Sequence, residues 1–331
     1  MENTQSIKKR LKSISNIGKI TKAMELVAAT KMRRSQEIAL ASRPYAFAAL
    51  DLLANVSLLS KNDLSELLQK RKTKKVLFVL VASDKGLAGA FNSSIFKKFE
   101  QSVKKESWRV RPSKDLEGPT LQTAQTAQVE NFYVAVGEKS FNYLLKKGLH
   151  VVRKFTNVGD FTTTEQVQPL SDFLVEGYLK GDFDKVIVFS THFRSALKQE
   201  ALTREMLPIT FNSLQETVRE IIPDKGKFAE MIKEQNISFV SDKSKLPEYL
   251  IEPSAKEVLD NLVKHLFFMQ LYHLVLEANA SEHAARRMAM KTASDNASDL
   301  GQALNLQYNK SRQGAITNQI IEIIAGAESL S

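Results

Sequence analysis

The 331-residue chain contains no cysteine, which excludes disulfides, thiol nucleophiles, thiolate-bound zinc and iron–sulfur clusters together. It also lacks long apolar runs. The longest near the middle, Val76 to Ala82, is far below the ~18 residues of a membrane span. Met1 to Lys12 lacks the apolar core of a signal peptide, so the expected location is cytoplasmic, with no direct membrane insertion. Proline is absent from both ends. The eight prolines, Pro44, Pro112, Pro119, Pro169, Pro208, Pro223, Pro247 and Pro253, leave residues 1–43 and 254–331 free of that helix breaker. Apolar residues at 43% and charged residues at 25% exclude a wholly disordered or collagen-like chain, and the length predicts two domains at roughly 150 residues each.

What is present is first of all positive charge, and it is concentrated. Residues 1–75 hold 16 Lys and Arg against 6 Asp and Glu, which accounts for the whole net charge of +10. Lys8, Lys9, Arg10, Lys12, Lys19, Lys22, Lys31, Arg33, Arg34 and Arg43 all lie there. Such a segment is either a solvated helix face or a surface for an acidic partner, nucleic acid or an anionic membrane.

Both ends read as long helices. Ile7, Leu11, Ile14, Ile17, Ile20, Met24 and Val27 follow steps of three and four, a narrow stripe along one helix face. Leu259, Leu262, Leu266, Met269, His273, Leu276 and Ala280 alternate the same steps as the seam of a coiled coil, which Leu300, Leu304, Tyr308, Ile316, Ile320 and Ile323 resume. A helix of about 70 residues reaches roughly 100 Å and must project from any domain of this size. The two ends are each other's natural partners, antiparallel, with Ala23, Ala28, Ala29, Ala284, Ala285 and Ala289 allowing close approach.

Between them the period changes. Val76–Ala82, Phe132–Val136, His150–Phe155 and Val186–Ser190 read as strands, separated by helices at Ala90–Lys105, Glu138–Lys147 and Gln166–Lys180. Gly148 and Gly181 stand where helix C-caps are expected. The alternation predicts an α/β fold class: a central Rossmann-like domain with a mostly parallel sheet, flanked by the long antiparallel coiled coil. The expected division is an N-terminal coiled-coil helix over 1–60, an α/β foot over 73–210, a variable insertion and linker over 211–253, and a C-terminal coiled-coil helix over 254–331. Ser107–Val129 has loop composition, and Ser213–Val240 reads as one or two helices broken at Pro223 and Gly226.

Chemistry-bearing motifs are sparse. Ser83-Asp-Lys-Gly-Leu-Ala-Gly-Ala-Phe-Asn92 is a glycine-containing turn between strand and helix, the arrangement that binds phosphate through backbone N–H groups. Gly86 and Gly89 are spaced G-x-x-G, however, which is neither the dinucleotide fingerprint nor a Walker loop. His150, His192, His265, His273 and His283 show no metal-ligand spacing, and the expectation is no catalytic residue, no metal and no cofactor. His273 falls on the seam, as a packed or partner-facing imidazole.

Three long motifs, in order, carry a resemblance. Ile17-Gly-Lys-Ile-Thr-Lys-Ala-Met-Glu-Leu-Val-Ala-Ala-Thr-Lys-Met-Arg-Arg34, Ser281-Glu-His-Ala-Ala-Arg-Arg-Met-Ala-Met-Lys291 and Tyr308-Asn-Lys-Ser-Arg-Gln-Gly-Ala-Ile-Thr317, with the Ser83–Asn92 loop, closely resemble the gamma subunits of F-type ATP synthases. The resemblance implies a non-catalytic rotor at the cytoplasmic face of the cell membrane. Its coiled coil enters a ring of three alpha and three beta subunits, and its foot stands beside epsilon and the c ring. One asymmetric shaft touches three beta subunits inequivalently, so each turn biases them among states of different nucleotide affinity.

Position by position, the resemblance implies that Met24 is the coupling methionine beside beta, and that Arg312, Gln313 and Thr317 grip beta near the C-terminal end. It places Arg286 and Glu322 in a supporting set and makes Lys31, Arg33, Arg34 and Lys85 partners for beta carboxylates. Gln319 stands where the family usually has glutamate, and Gly314 replaces an alanine. A chain without cysteine cannot use the dithiol switch of chloroplast relatives. The rival readings are a basic coiled-coil adaptor for nucleic acid and an α/β nucleotide-dependent enzyme using Gly86 and Gly89. The first leaves the apolar tail at Ile320–Ala327 unexplained and lacks aromatic interleaving in its basic segment.

Overall fold

A chain whose ends carry no proline and whose middle alternates β-branched runs with helical patterns folds as those patterns require. The computed structural model describes residues 4–41, 65–106, 129–159, 162–210 and 252–328. The expected helix beyond residue 41, the polar stretch 107–128 and the insertion at 213–240 lie outside the described residues. In chain order the elements are α1 (Thr4–Ala41), a 3-10 turn (Glu66–Leu68), β1 (Lys75–Val81), α2 (Phe91–Glu106), β2 (Glu130–Val136), α3 (Glu138–Lys146), β3 (Val151–Phe155), α4 (Thr164–Lys180), β4 (Lys185–Phe193), β5 (Gln199–Leu207) and α5 (Ala255–Glu328).

The sheet has the order β3-β2-β1-β4-β5. β1 to β4 are parallel, with Leu77 beside both Phe132 and Val186, while β5 runs antiparallel to β4. Alternation along β1 sorts its side chains to two faces. Leu77, Val79 and Val81 join α4 and α5 in one core, and Val76, Phe78 and Leu80 meet Ile95 and Phe99 of α2 and Leu144 of α3 in the other. Phe99 lies edge-on to Phe78 and Phe189, 6.4 and 5.2 Å between ring centroids. Gly148 and Gly181 cap α3 and α4 at positive φ. β5 has no counterpart among the sequence-predicted strands. Its sequence, QEALTREML, is polar because it forms an edge, and its central residues are only partly covered.

α1 and α5 lie side by side and antiparallel, since Gly18 faces Ala297 while Ile14 reaches Gly301. The α1 seam departs from the expected stripe. Ile7 is buried as predicted and Leu11 and Ile14 are half-buried, but the seam then continues through Gly18, Thr21, Glu25, Ala28, Met32 and Ser35. Ile17, Ile20 and Val27 point away from α5, with Ile20 60% exposed. The strict alternation of four and three keeps facing the partner helix, whereas the apolar residues advance by three and three and rotate off it. Small residues on the true seam let the two axes approach closely.

α5, 74 residues long, spans about 110 Å at 1.5 Å per residue. Extending the α1–α5 register places the start of α1 near Ser311, so residues 312–328 continue about 25 Å beyond it. Ile316, Ile320, Ile321, Ile323 and Ile324 are exposed on that end.

Candidate functional site: a loop braced against the long helix

The Ser83–Asn92 loop leaves the carboxyl end of β1 and enters α2. It is held from three sides. Toward α2, the Ser83 N–H donates to Asn92 Oδ1 at 3.1 Å and Asn92 Nδ2 donates to Ser83 Oγ at 2.7 Å. Toward the neighbouring loops, Asp84 Oδ1 accepts the Glu138 N–H at 3.0 Å, at the start of α3, and Oδ2 accepts the Asn157 N–H at 3.1 Å. Toward α5, Arg286 Nη2 donates to the Gly86 carbonyl at 3.2 Å and is 3.4 Å from that of Lys85. Gly89 completes the contact: at φ +54°, its missing Cβ would sit 3.6 Å from Ala289 Cβ and 3.7 Å from the Ala285 carbonyl.

The arginine is itself fixed. Arg286 Nη2 lies 2.6 Å from Glu282 Oε1 one turn below, and Arg286 Nη1 lies 3.2 Å from His283 Nδ1. His283 Nε2 lies 3.2 Å from the Gly159 carbonyl, so the imidazole that accepts from Arg286 donates to the loop after β3. Asn279 adds a second tie by donating to the Val158 carbonyl at 2.7 Å and to Thr162 Oγ1. These bonds turn the loop backbone inward and leave Lys85 and Leu87 exposed, Leu87 at 62% and at φ 64°. The arrangement presents a lysine and an apolar side chain outward from a braced backbone.

The expected partner-facing residues occupy separate levels of the shaft. Lys31, half-buried, and exposed Arg33 and Arg34 lie on α1; Arg33 and Arg34 share Glu37, at 3.1 and 3.7 Å. Met24 is half-buried about two turns from Lys31, toward the start of α1. Arg312, Gln313, Thr317 and Glu322 are exposed on the end of α5, about 40 Å or more along the axis from Arg286. Arg286 differs from all of these, because it is buried and uses its guanidinium within the chain. Sequence reasoning missed Asp84, Asn92, Glu282 and His283. Their only sequence signal is that they lie within the quoted motifs: Asn92 and Glu282 pair with Ser83 and Arg286 nearby, whereas Asp84 and His283 bond backbone groups up to 124 residues away.

A sheet-based foot clamped to one member of a projecting antiparallel helix pair has the build of a stalk, compact at one end and drawn out to a bare helix at the other. The comparisons then identify the family. Residues 3–330 match the family model described as ATP synthase. The ATP synthase gamma chain of Geobacter metallireducens is 34% identical over 330 residues, covering 100% of this chain and 99% of the relative. That of Chlorobaculum parvum is 34% identical over 334 residues, with the same coverage. Among solved structures, the central stalk and c-ring of Tetrahymena thermophila mitochondrial ATP synthase matches with TM-score 0.53 at 22% identity, covering 83% of this chain and 99% of that one. The Euglena gracilis mitochondrial ATP synthase, in its F1 and c-ring assembly, matches with TM-score 0.57 at 15% identity, covering 99% and 94%.

The chain belongs to the ATP synthase gamma chain family. It is a non-catalytic subunit. Nothing supports the nucleic-acid adaptor reading. Among the described residues no helix is long and apolar enough to cross a membrane.

Proposed function

We propose that this chain is the rotor of an F-type ATP synthase, coupling ion flow through a c ring to conformational cycling of three catalytic beta subunits. The observation that carries the reading is the free end of α5: some 17 residues beyond the start of α1, with exposed isoleucines. An apolar helix end of that length needs a surrounding sleeve, and a ring of three alpha and three beta subunits supplies one. Arg312, Gln313, Thr317 and Glu322 then meet beta at the upper level. Met24, Lys31, Arg33, Arg34 and the Lys85 loop meet acidic segments of beta lower down. Arg286 contributes by holding the Lys85 loop. The foot, with epsilon, stands on the c ring, which places the chain peripherally at the cytoplasmic face of the cell membrane.

Co-expression with the alpha, beta and epsilon subunits tests the reading. The expected result is a stoichiometric complex in which a bead on the foot rotates during ATP hydrolysis. A chain that purifies alone or with nucleic acid overturns it.

A further inference from the structure

One buried polar cluster takes no part in the ring-facing loop. Glu277 projects from α5 onto the sheet, and both of its oxygens are used. His192 Nδ1, from β4, lies 2.7 Å from Oε2, and His273 Nε2, one turn below on α5, lies 3.1 Å from Oε1. Arg204 Nη2, from β5, is 3.9 Å from Oε2. The carboxylate and both imidazoles are buried. Burial pushes the Glu277 carboxyl up, but the hydrogen bonds and charges of His192 and His273 outweigh it and hold it at about 2, so the group is ionised.

Around this cluster the contact between α5 and the sheet is mostly apolar: Leu271, Leu274, Val275 and Ala278 lie against the face that carries Val79 and Val188, and Ser281 Oγ adds a long 3.5 Å hydrogen bond to the Thr191 carbonyl. Apolar contact is non-directional, so a helix can slide across it by exchanging one neighbour for another. A charge-assisted hydrogen bond fixes both distance and angle, and a slide takes the buried Glu277 Oε2 away from its cross-element partner. Of the two imidazoles only His192 comes from another element, so it bridges while His273 orients the carboxylate.

We propose that Glu277, oriented by His273 and bonded to His192 beside Arg204, is the pin that fixes the long helix to the sheet of the foot, below the loop ties at Asn279, His283 and Arg286, and through which torque passes between helix and sheet. Glu277, His192 and His273 are therefore positioning residues for coupling. The inference rests on the rotor reading, and its test begins from an assembled complex in which rotation is visible.

The measurement is the torsional stiffness of the stalk in the whole complex, read from the angular fluctuations of a bead on the foot while the catalytic head is stalled. His192→Leu removes the bridging donor. His192→Asn keeps one, because an asparagine Nδ2 occupies nearly the place of the imidazole Nδ1. The triple variant Glu277→Met/His192→Leu/His273→Leu replaces the carboxylate and both imidazoles with apolar groups, so that packing is kept and no buried carboxylate is orphaned. Stiffness falls by about half in His192→Leu and in the triple variant and recovers in His192→Asn, while ATP hydrolysis is unchanged. Unaltered stiffness in the triple variant, or no recovery with asparagine, overturns the proposal. So does a triple variant that fails to assemble, since the cluster would then serve folding rather than registry. Failure of the unmodified chain to form a rotating complex would instead overturn the rotor reading.

Discussion

The two halves of α5 follow the same periodic pattern yet live in opposite surroundings. From Gln270 to Ala284 fifteen consecutive residues are buried, so the helix has no solvent face there, while from Ala315 to Ala327 the residues are exposed on every side. The lower half is enclosed by α1 and the foot. The upper end has lost even α1. Periodicity alone does not separate these environments, because a heptad seam records where a partner helix sits and not what covers the remaining faces.

The contrast is broken most directly by paired truncations. Leu271→Ala, at a fully buried position, is expected to cost about 2–5 kcal/mol in urea unfolding of the purified chain. Ile323→Ala, at a position 71% exposed, should stay within about 0.5 kcal/mol. Comparable losses at both sites would mean that the upper end is packed within the isolated chain.

Acid sharpens the comparison at the buried level. The folded Glu277 carboxyl is lowered from 4.5 to about 2 by its hydrogen bonds, so its stabilisation is fully present above pH 4.5 and is lost as pH falls through 2. That loss is of the order of 3 kcal/mol. Glu277→Gln should remove this acid-dependent part from the stability profile, and a profile parallel to the parent's between pH 4.5 and 2 would contradict it.

Met24→Lys probes the half-covered level. In the proposed rotor a long cation there pairs with beta and stabilises one rotary position by about 1.5 kcal/mol. Assembly and ATP hydrolysis persist while ATP-driven acidification of vesicles falls. A mutant that pumps as efficiently per ATP as the parent over a range of temperatures removes Met24 from the coupling contact.

The smallest effect belongs to the exposed cations. Replacing Lys31, Arg33 and Arg34 together by Gln should weaken association with the ring by under ~1 kcal/mol per residue, and more at low salt than at high salt. Equal weakening at every ionic strength would point to lost packing.

Local pattern carried the fold a long way. Four strands and the helices between them were legible because β-branched runs and 3.6-residue periods are properties of contiguous residues. β5 was not, since a polar edge strand is held by its neighbour's hydrogen bonds rather than by its own composition. The α1 seam was displaced for a related reason: close helix contact selects Gly18, Thr21, Ala28 and Ser35, which an apolar count overlooks. The candidate site was half legible. Its motif residues are contiguous, but the bonds that brace it join Arg286 to Gly86 and His283 to Gly159 across the whole chain.

By itself, then, the sequence determined two proline-free terminal helices, a parallel α/β core, a basic segment over residues 1–75 and a chain without thiol chemistry, since each follows from residue type and spacing alone. Only the tertiary structure decided that Arg286 faces inward, that Ile17, Ile20 and Val27 face outward, and that His192 and His273 converge on Glu277. Each of these depends on the angle at which α5 crosses the sheet and on its register against α1, which are set by packing between residues far apart in the chain.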